Sequence, residues 1–288
     1  MAIEVIDEEK VGDRLRRLTV RAASVSAAEL TIHVLLPHRW TASRAWPLLT
    51  LHHGGLDDSS SWVDRTDVER LSRDDDVLIV MPDGGRAGGY ADWRRGPQWQ
   101  TFHIHHVHAL MRARYAAAPV RAVAGVSGGG YGALLSAASN PGTFRFAAAF
   151  SGPCTIRTAL SATTLLAATG VAGRVNPLAM WGVPFVHDRH WRAADPLHLA
   201  AGLRGTGVHL SSGLTGRPGP LDPSAPWSAA NLAEPLVRAT IGPFLRRLRA
   251  LGIPASAHLY RDGTHSWPYW QRELHRVWPK LTASLRTP

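Results

Sequence analysis

Cysteine is almost absent: Cys154 is the only one in 288 residues. No internal disulfide can form, and no cysteine-built zinc site is possible. Lysine is scarce too. Lys10 and Lys280 are the only two among 32 basic residues, so arginine carries nearly all of the formal net charge of +10. The arginines are scattered along the chain. They form neither a basic tail nor an aromatic-and-arginine stripe, so no nucleic-acid partner is expected. The positive field favours anionic substrates or surfaces. No apolar run reaches the ~18 residues of a membrane span, so no transmembrane segment is expected. Met1 to Lys10 has no basic start, apolar stretch or cleavage site. The reading is a soluble, cytoplasmic chain without a secretory leader. Internal repeats and low-complexity linkers are also lacking.

What is present is a chain with 45% apolar residues, enough for a sizeable core. Strand and helix signals alternate along it. Residues 14–21 and 29–36 read as an antiparallel lead-in. Trp46 to His52, Val77 to Met81, Val120 to Val126, Phe146 to Phe150, Val208 to Ser212 and Ala255 to Tyr260 read as strands. Helices are expected over 99–115, 129–139, 232–251 and 268–286. Such alternation implies a mostly parallel central sheet with helices on both faces. Residues 154–206 read as irregular, a cap or lid insertion within a single domain over 1–288.

The sharpest motif is Gly125-Val126-Ser127-Gly128-Gly129, a G-x-S-x-G with a strand before it and a helix after it. A nucleophilic serine must stand on a tight turn with its hydroxyl above the sheet. Side chains two residues either side would collide there, and glycine removes them. The same turn places the Gly128 N–H at a helix start, where it can face a developing oxyanion. The competing reading is an ordinary glycine-rich turn. A serine hydroxyl also needs a base, and in an α/β-hydrolase the chain order is nucleophile, acid, histidine. His265 fits, in the loop after the last strand, although 15 histidines make a surface histidine a real competitor. For the acid, Asp222 in a proline-rich loop and Glu234 at a helix start both qualify by spacing. A second oxyanion donor is expected from His52-His53-Gly54-Gly55-Leu56, as the N–H of Gly55 or of Leu56.

Other features have two readings each. His103, His105, His106 and His108 look like a metal tract, with His103/His106 and His105/His108 pairing at i,i+3 on a helix. No carboxylate stands at the spacing of the common zinc motifs, so no metal and no cofactor is expected. Trp93 and Trp267 flank the site and are candidates for shaping substrate access. Trp181 and Trp191 line an acyl pocket or pack the insertion. Cys154 reads as a buried thiol.

These residues resemble the esterase-D-type "putative esterase" family of the α/β-hydrolases, and within it the mycolyltransferases of the mycobacterial cell envelope. The matching segments are Met81-Pro82-Asp83-Gly84-Gly85, Tyr90-Ala91-Asp92-Trp93, Thr101-Phe102, the Ser127 motif and Phe150-Ser151-Gly152. They continue with Met180-Trp181-Gly182, Asp195-Pro196-Leu197 and Gly263-Thr264-His265-Ser266-Trp267 with Tyr269-Trp270. The resemblance implies an α/β-hydrolase fold and a catalytic His265. It favours Glu234 over Asp222 through the segment Glu234 to Thr240. The oxyanion loop departs from the family: His53-Gly54-Gly55-Leu56-Asp57 lacks the family's Asp-Gly-Leu core and its trehalose-holding arginine. A carboxylesterase acting on a small-molecule acyl ester is therefore expected ahead of an acyltransferase, with a non-catalytic binding module third.

Overall fold

The computed structural model describes residues 2–87, 89–171 and 173–286. Met1, Gly88, Ala172, Thr287 and Pro288, which the expected domain and insertion include, lie outside the described residues. Among the described residues nine strands form one sheet in the order β1-β2-β3-β5-β4-β6-β7-β8-β9. They are β1 Glu4–Lys10, β2 Leu15–Ala22, β3 Ser26–Leu35, β4 Trp46–His52, β5 Leu78–Pro82, β6 Ala117–Val126, β7 Phe146–Phe150, β8 Gly207–Ser212 and β9 Ala255–Leu259. β1, β2, β3 and β5 pair antiparallel, and β5-β4-β6-β7-β8-β9 run parallel. This is the sheet of an α/β-hydrolase.

The central strands are apolar on both faces because both faces are covered. Ala122, Ala124, Val126, Ala148 and Phe150 pack with Trp270, Leu274, Val277, Trp278 and Leu281 of the Trp267–Arg286 helix. The alternate residues Val123, Ala147, Ala149 and Leu210 pack with the Gly128–Ser139 and Ala233–Ala250 helices. Successive strand residues point to opposite faces, so a strand buried on both sides needs a continuous apolar run.

The structure corrects two expectations and adds a strand that the sequence reading lacks. The acidic start of the chain is a strand: β1 is an exposed edge, held by the Glu9–Arg17 and Glu8–Arg114 ion pairs and by Tyr115 Oη donating to Glu8 Oε1 at 2.6 Å. The 154–206 stretch is largely helical, with helices at Ala159–Val171, Pro177–Trp181 and Asp188–Ala193. Trp181 and Trp191 are buried there with ring centroids 5.2 Å apart, and they pack with Tyr131 and Leu135 of the Gly128–Ser139 helix. They pack the 154–206 stretch onto that helix. Finally, the expected 99–115 helix contains a π-helical turn over Phe102–Val107. That turn spoils the i,i+3 pairing of the histidine tract. His103 Nε2 lies 2.9 Å from the Asp83 carbonyl, His106 Nδ1 lies 3.4 Å from Ser24 Oγ, and His108 Nε2 lies 3.3 Å from the Ala118 carbonyl.

Among the described residues no helix is long and apolar enough to cross a membrane. No group of three or more His, Cys, Asp or Glu among them is arranged to hold a metal ion.

The buried histidines carry a pH dependence. Burial, the largest cause, pushes His103 down to about 4 from 6.5, and burial also pushes His52, whose ring centroid is 5.0 Å away, well below its usual value. An unfolded His103 takes its proton near pH 6.5, whereas the folded one waits until about 4. In that window the unfolded chain binds more protons, so stability falls as the pH falls. The contribution is on the order of 3 kcal/mol. A urea-melt series from pH 7 to pH 4 is expected to show this loss and to show it reduced in His103→Gln. An unchanged slope in that variant would remove His103 as the cause.

Candidate active site

Ser127 stands between β6 and the Gly128–Ser139 helix with φ 51° and ψ −121°. A left-handed serine is strained by about 1–3 kcal/mol and persists only when its surroundings fix it. The glycines make the turn possible. A Cβ at Gly125 would collide with the Gly129 carbonyl, and a Cβ at Gly129 with the carbonyls of His52 and His53. The turn is pinned by the Ser127 N–H donating to the Phe150 carbonyl at 2.8 Å, and by the Tyr131 N–H donating to the Ser127 carbonyl at 3.1 Å.

His265 reaches the turn from the loop after β9. Its Nε2 lies 2.8 Å from Ser127 Oγ and its Nδ1 lies 2.8 Å from Glu234 Oε1. Glu234 is fully buried near the start of the Ala233–Ala250 helix. Its other oxygen accepts from the Gly213 N–H at 2.6 Å and from Ser212 Oγ at 3.0 Å, so the last residue of β8 and the one after it hold the carboxylate. A carboxylate only accepts, so the ring proton sits on Nδ1 and the Nε2 lone pair faces the serine hydroxyl. Trp270 walls the imidazole edge-on, with ring centroids 5.0 Å apart.

Asp222 is placed elsewhere. It accepts from Tyr269 Oη at 2.6 Å, from the Gly219 N–H at 2.9 Å and from Thr264 Oγ1. It therefore braces the residue before His265 and not the imidazole itself.

The His52-to-Leu56 loop lies against the Ser127 turn. A Cβ at Gly54 would come within 3.6 Å of Ser127 Cβ, and one at Gly128 within 3.6 Å of the Gly55 nitrogen. The Leu56 N–H donates to the Arg86 carbonyl at 3.4 Å. Trp267 is half-buried, edge-on to Trp62 and to Trp270 with ring centroids 5.2 Å apart in each pair, so it is one ring removed from His265. Trp93 is half-buried against the insertion's core, and its N–H donates to the Pro97 carbonyl at 2.9 Å. Cys154 is buried, its thiol pushed up to about 12 by burial, and its N–H is held by Thr240 Oγ1 at 3.0 Å. It is a packed thiol.

Two contributors escaped the sequence reading. One is Trp270, quoted only as part of a motif. The other is His53, which holds the loop itself. Their signal was adjacency to already chosen residues: Trp270 five positions beyond His265, and His53 beside the glycine pair.

The family described as "Putative esterase" matches residues 24–281. Esterase Rv1288 of Mycobacterium tuberculosis is 33% identical over 239 residues, covering 79% of this chain and 50% of the relative. The chain thus spans about half the length of that protein. Diacylglycerol acyltransferase/mycolyltransferase Ag85A of M. tuberculosis is 30% identical over 244 residues, covering 80% of this chain and 70% of the relative. The crystal structure of M. tuberculosis MPT51 superposes with a TM-score of 0.78 at 23% identity, over 93% of this chain and 98% of that one, which is a likeness of fold. With a family match over most of its length and a curated relative 33% identical across 79% of it, this chain belongs to the "Putative esterase" family.

Proposed function

We propose that the chain is a serine carboxylesterase that cleaves small or medium acyl esters through an acyl-enzyme on Ser127. The observation that carries this reading is the unbroken hydrogen-bonded line from Ser127 Oγ through His265 to Glu234. Ser127 Oγ attacks the ester carbonyl while His265 Nε2 takes its proton. Glu234 orients the ring and stabilises the imidazolium. His265 then returns the proton to the leaving alcohol. Water, deprotonated by the same nitrogen, releases the acid.

The N–H groups of Gly128 and Gly55 hold the oxyanion, each contributing about 3–4 kcal/mol of transition-state stabilisation. Gly55 is preferred to Leu56 because the Leu56 N–H is turned to the Arg86 carbonyl, whereas the Gly55 nitrogen lies beside Gly128. Trp267, through Trp62 and Trp270, shapes the approach from the His265 side. Trp93 does so from the insertion side.

The relation to Ag85A favours one further reading, acyl transfer with an alcohol in place of water. Both share the first half-reaction and differ in what attacks the acyl-enzyme. The test is a p-nitrophenyl ester series from acetate to octanoate, run with and without added polyols, with a fluorophosphonate probe alongside. Probe labelling and free acid as the product are expected. A new ester as the main product would establish transfer. No labelling and no p-nitrophenol from any chain length would leave a binding module and sink the esterase reading.

A further inference from the structure

We propose that His53 is a positioning residue for the oxyanion hole: its imidazole sets the direction in which the Gly55 N–H points. The inference rests on the esterase reading of the Ser127 site and assigns this histidine a task within it.

His53 is 1% exposed; each ring nitrogen has a backbone partner within hydrogen-bond distance, and the Asp83 carboxylate stands farther off, with Oδ1 3.7 Å from Nε2. The Gly84 N–H lies 2.8 Å from Nε2. An amide can only donate, so Nε2 is the lone-pair nitrogen and the ring proton is on Nδ1. Nδ1–H then donates to the Gly54 carbonyl at 2.7 Å. The backbone of His53 is fixed as well, since its carbonyl accepts from Tyr90 Oη at 2.7 Å. Burial pushes the Tyr90 phenol well above its usual range, so it stays a donor.

The Gly54 carbonyl and the Gly55 N–H belong to one trans peptide and point in opposite directions. Holding the carbonyl toward the His53 ring turns the N–H the other way, toward the side where Gly128 and Ser127 stand. The need for a holder follows from the sequence. A peptide between two glycines has no Cβ on either side to resist rotation about its flanking bonds. Flipped, it would present a carbonyl lone pair to a developing negative charge. The Asp57 N–H also reaches the Gly54 carbonyl, but at 3.4 Å, so the histidine is the shorter restraint.

Three variants separate aiming from anchoring. In His53→Asn the amide Nδ2 takes the place of Nδ1 and keeps the donor to Gly54, but nothing accepts from Gly84. In His53→Gln the side-chain oxygen reaches Gly84, but no donor faces Gly54. His53→Leu removes both. The measurements are kcat, KM and the affinity for a trifluoromethyl ketone, whose hemiketal oxygen occupies the oxyanion position.

His53→Asn is expected to stay within about fivefold of wild type. His53→Gln and His53→Leu are expected to lose about 10²-fold in kcat and in trifluoromethyl ketone affinity, with KM little changed. An active His53→Gln beside an inactive, folded His53→Asn would overturn the proposal, because anchoring to Gly84 would then be what matters. So would a loss of kcat with ketone affinity intact. Ser127→Ala assayed in parallel distinguishes the two levels. Activity surviving there sinks the parent reading and this one with it, whereas an inactive Ser127→Ala beside a fully active His53→Gln sinks this one alone.

Discussion

Ser127→Ala is expected to lower kcat for p-nitrophenyl butyrate by about 10⁶-fold while leaving the fold intact; serine-protease nucleophile deletions set that scale. The fold should survive because alanine keeps the Cβ. The backbone at φ 51° is no more strained for alanine than for serine, and the two backbone bonds that pin the turn do not involve the hydroxyl. What is lost is one hydrogen bond to His265 Nε2, at a ring that is only 9% exposed. Its cost to stability is about 1 kcal/mol. Residual turnover of about 10³-fold over water is expected from the oxyanion donors and binding alone. The comparison to make is kcat with the urea midpoint measured on the same preparation. Turnover within tenfold of wild type in a variant with an unchanged midpoint would mean that another group attacks the ester. Cys154, buried and held as a thiol, is a poor candidate to replace it.

The parts of this site that could be read from the sequence are those whose signal is local. β4 and β7 match the reading to the residue, Trp46–His52 and Phe146–Phe150, because a strand covered on both faces must be a continuous apolar run. Ser127 was legible because its turn imposes glycines at fixed spacing. β1 was not, because an edge strand exposed along its length has no apolar face to alternate. Its stability comes from partners as far away as Arg114 and Tyr115, which no window on the sequence contains. The helix Ala159–Val171 was missed for a related reason. It is small and apolar nearly all round, with threonines and glycine among the alanines, and so lacks a periodic stripe. The i,i+3 pairing of the histidine tract presumed a regular helix, and the rings behind the π turn over Phe102–Val107 meet separate partners instead.

Spacing left Glu234 and Asp222 equal, and the choice between them is a matter of three dimensions. In the fold Glu234 Oε1 lies 2.8 Å from His265 Nδ1, while Asp222 takes Tyr269, Gly219 and Thr264. Glu234→Gln is therefore expected to lower kcat by about 10⁴-fold, and Asp222→Asn by no more than about tenfold. The size of the first effect follows from counting donors. Glu234 faces the Gly213 N–H, the Ser212 hydroxyl and His265 Nδ1–H, and it sits where no water can relieve a mismatch. A glutamine amide must turn its NH₂ toward one side. Toward Gly213 it sets donor against donor, with the cost of an unmet buried amide. Toward His265 it forces the ring lone pair onto Nδ1 and the proton onto Nε2, which then confronts the serine hydroxyl with a donor and cannot take its proton. The first orientation keeps the tautomer but leaves the imidazolium without a counter-charge beside an unmet amide, and the second removes the base without disturbing the packing. Asparagine at 222 can still accept from Thr264 or Tyr269 through its oxygen and leaves the ring untouched, so its effect should fall on the positioning of the loop. Single-turnover acylation measured for both variants decides the matter. A slow Asp222→Asn beside a fast Glu234→Gln would reverse the assignment, and two fast variants would mean that neither carboxylate orients the base.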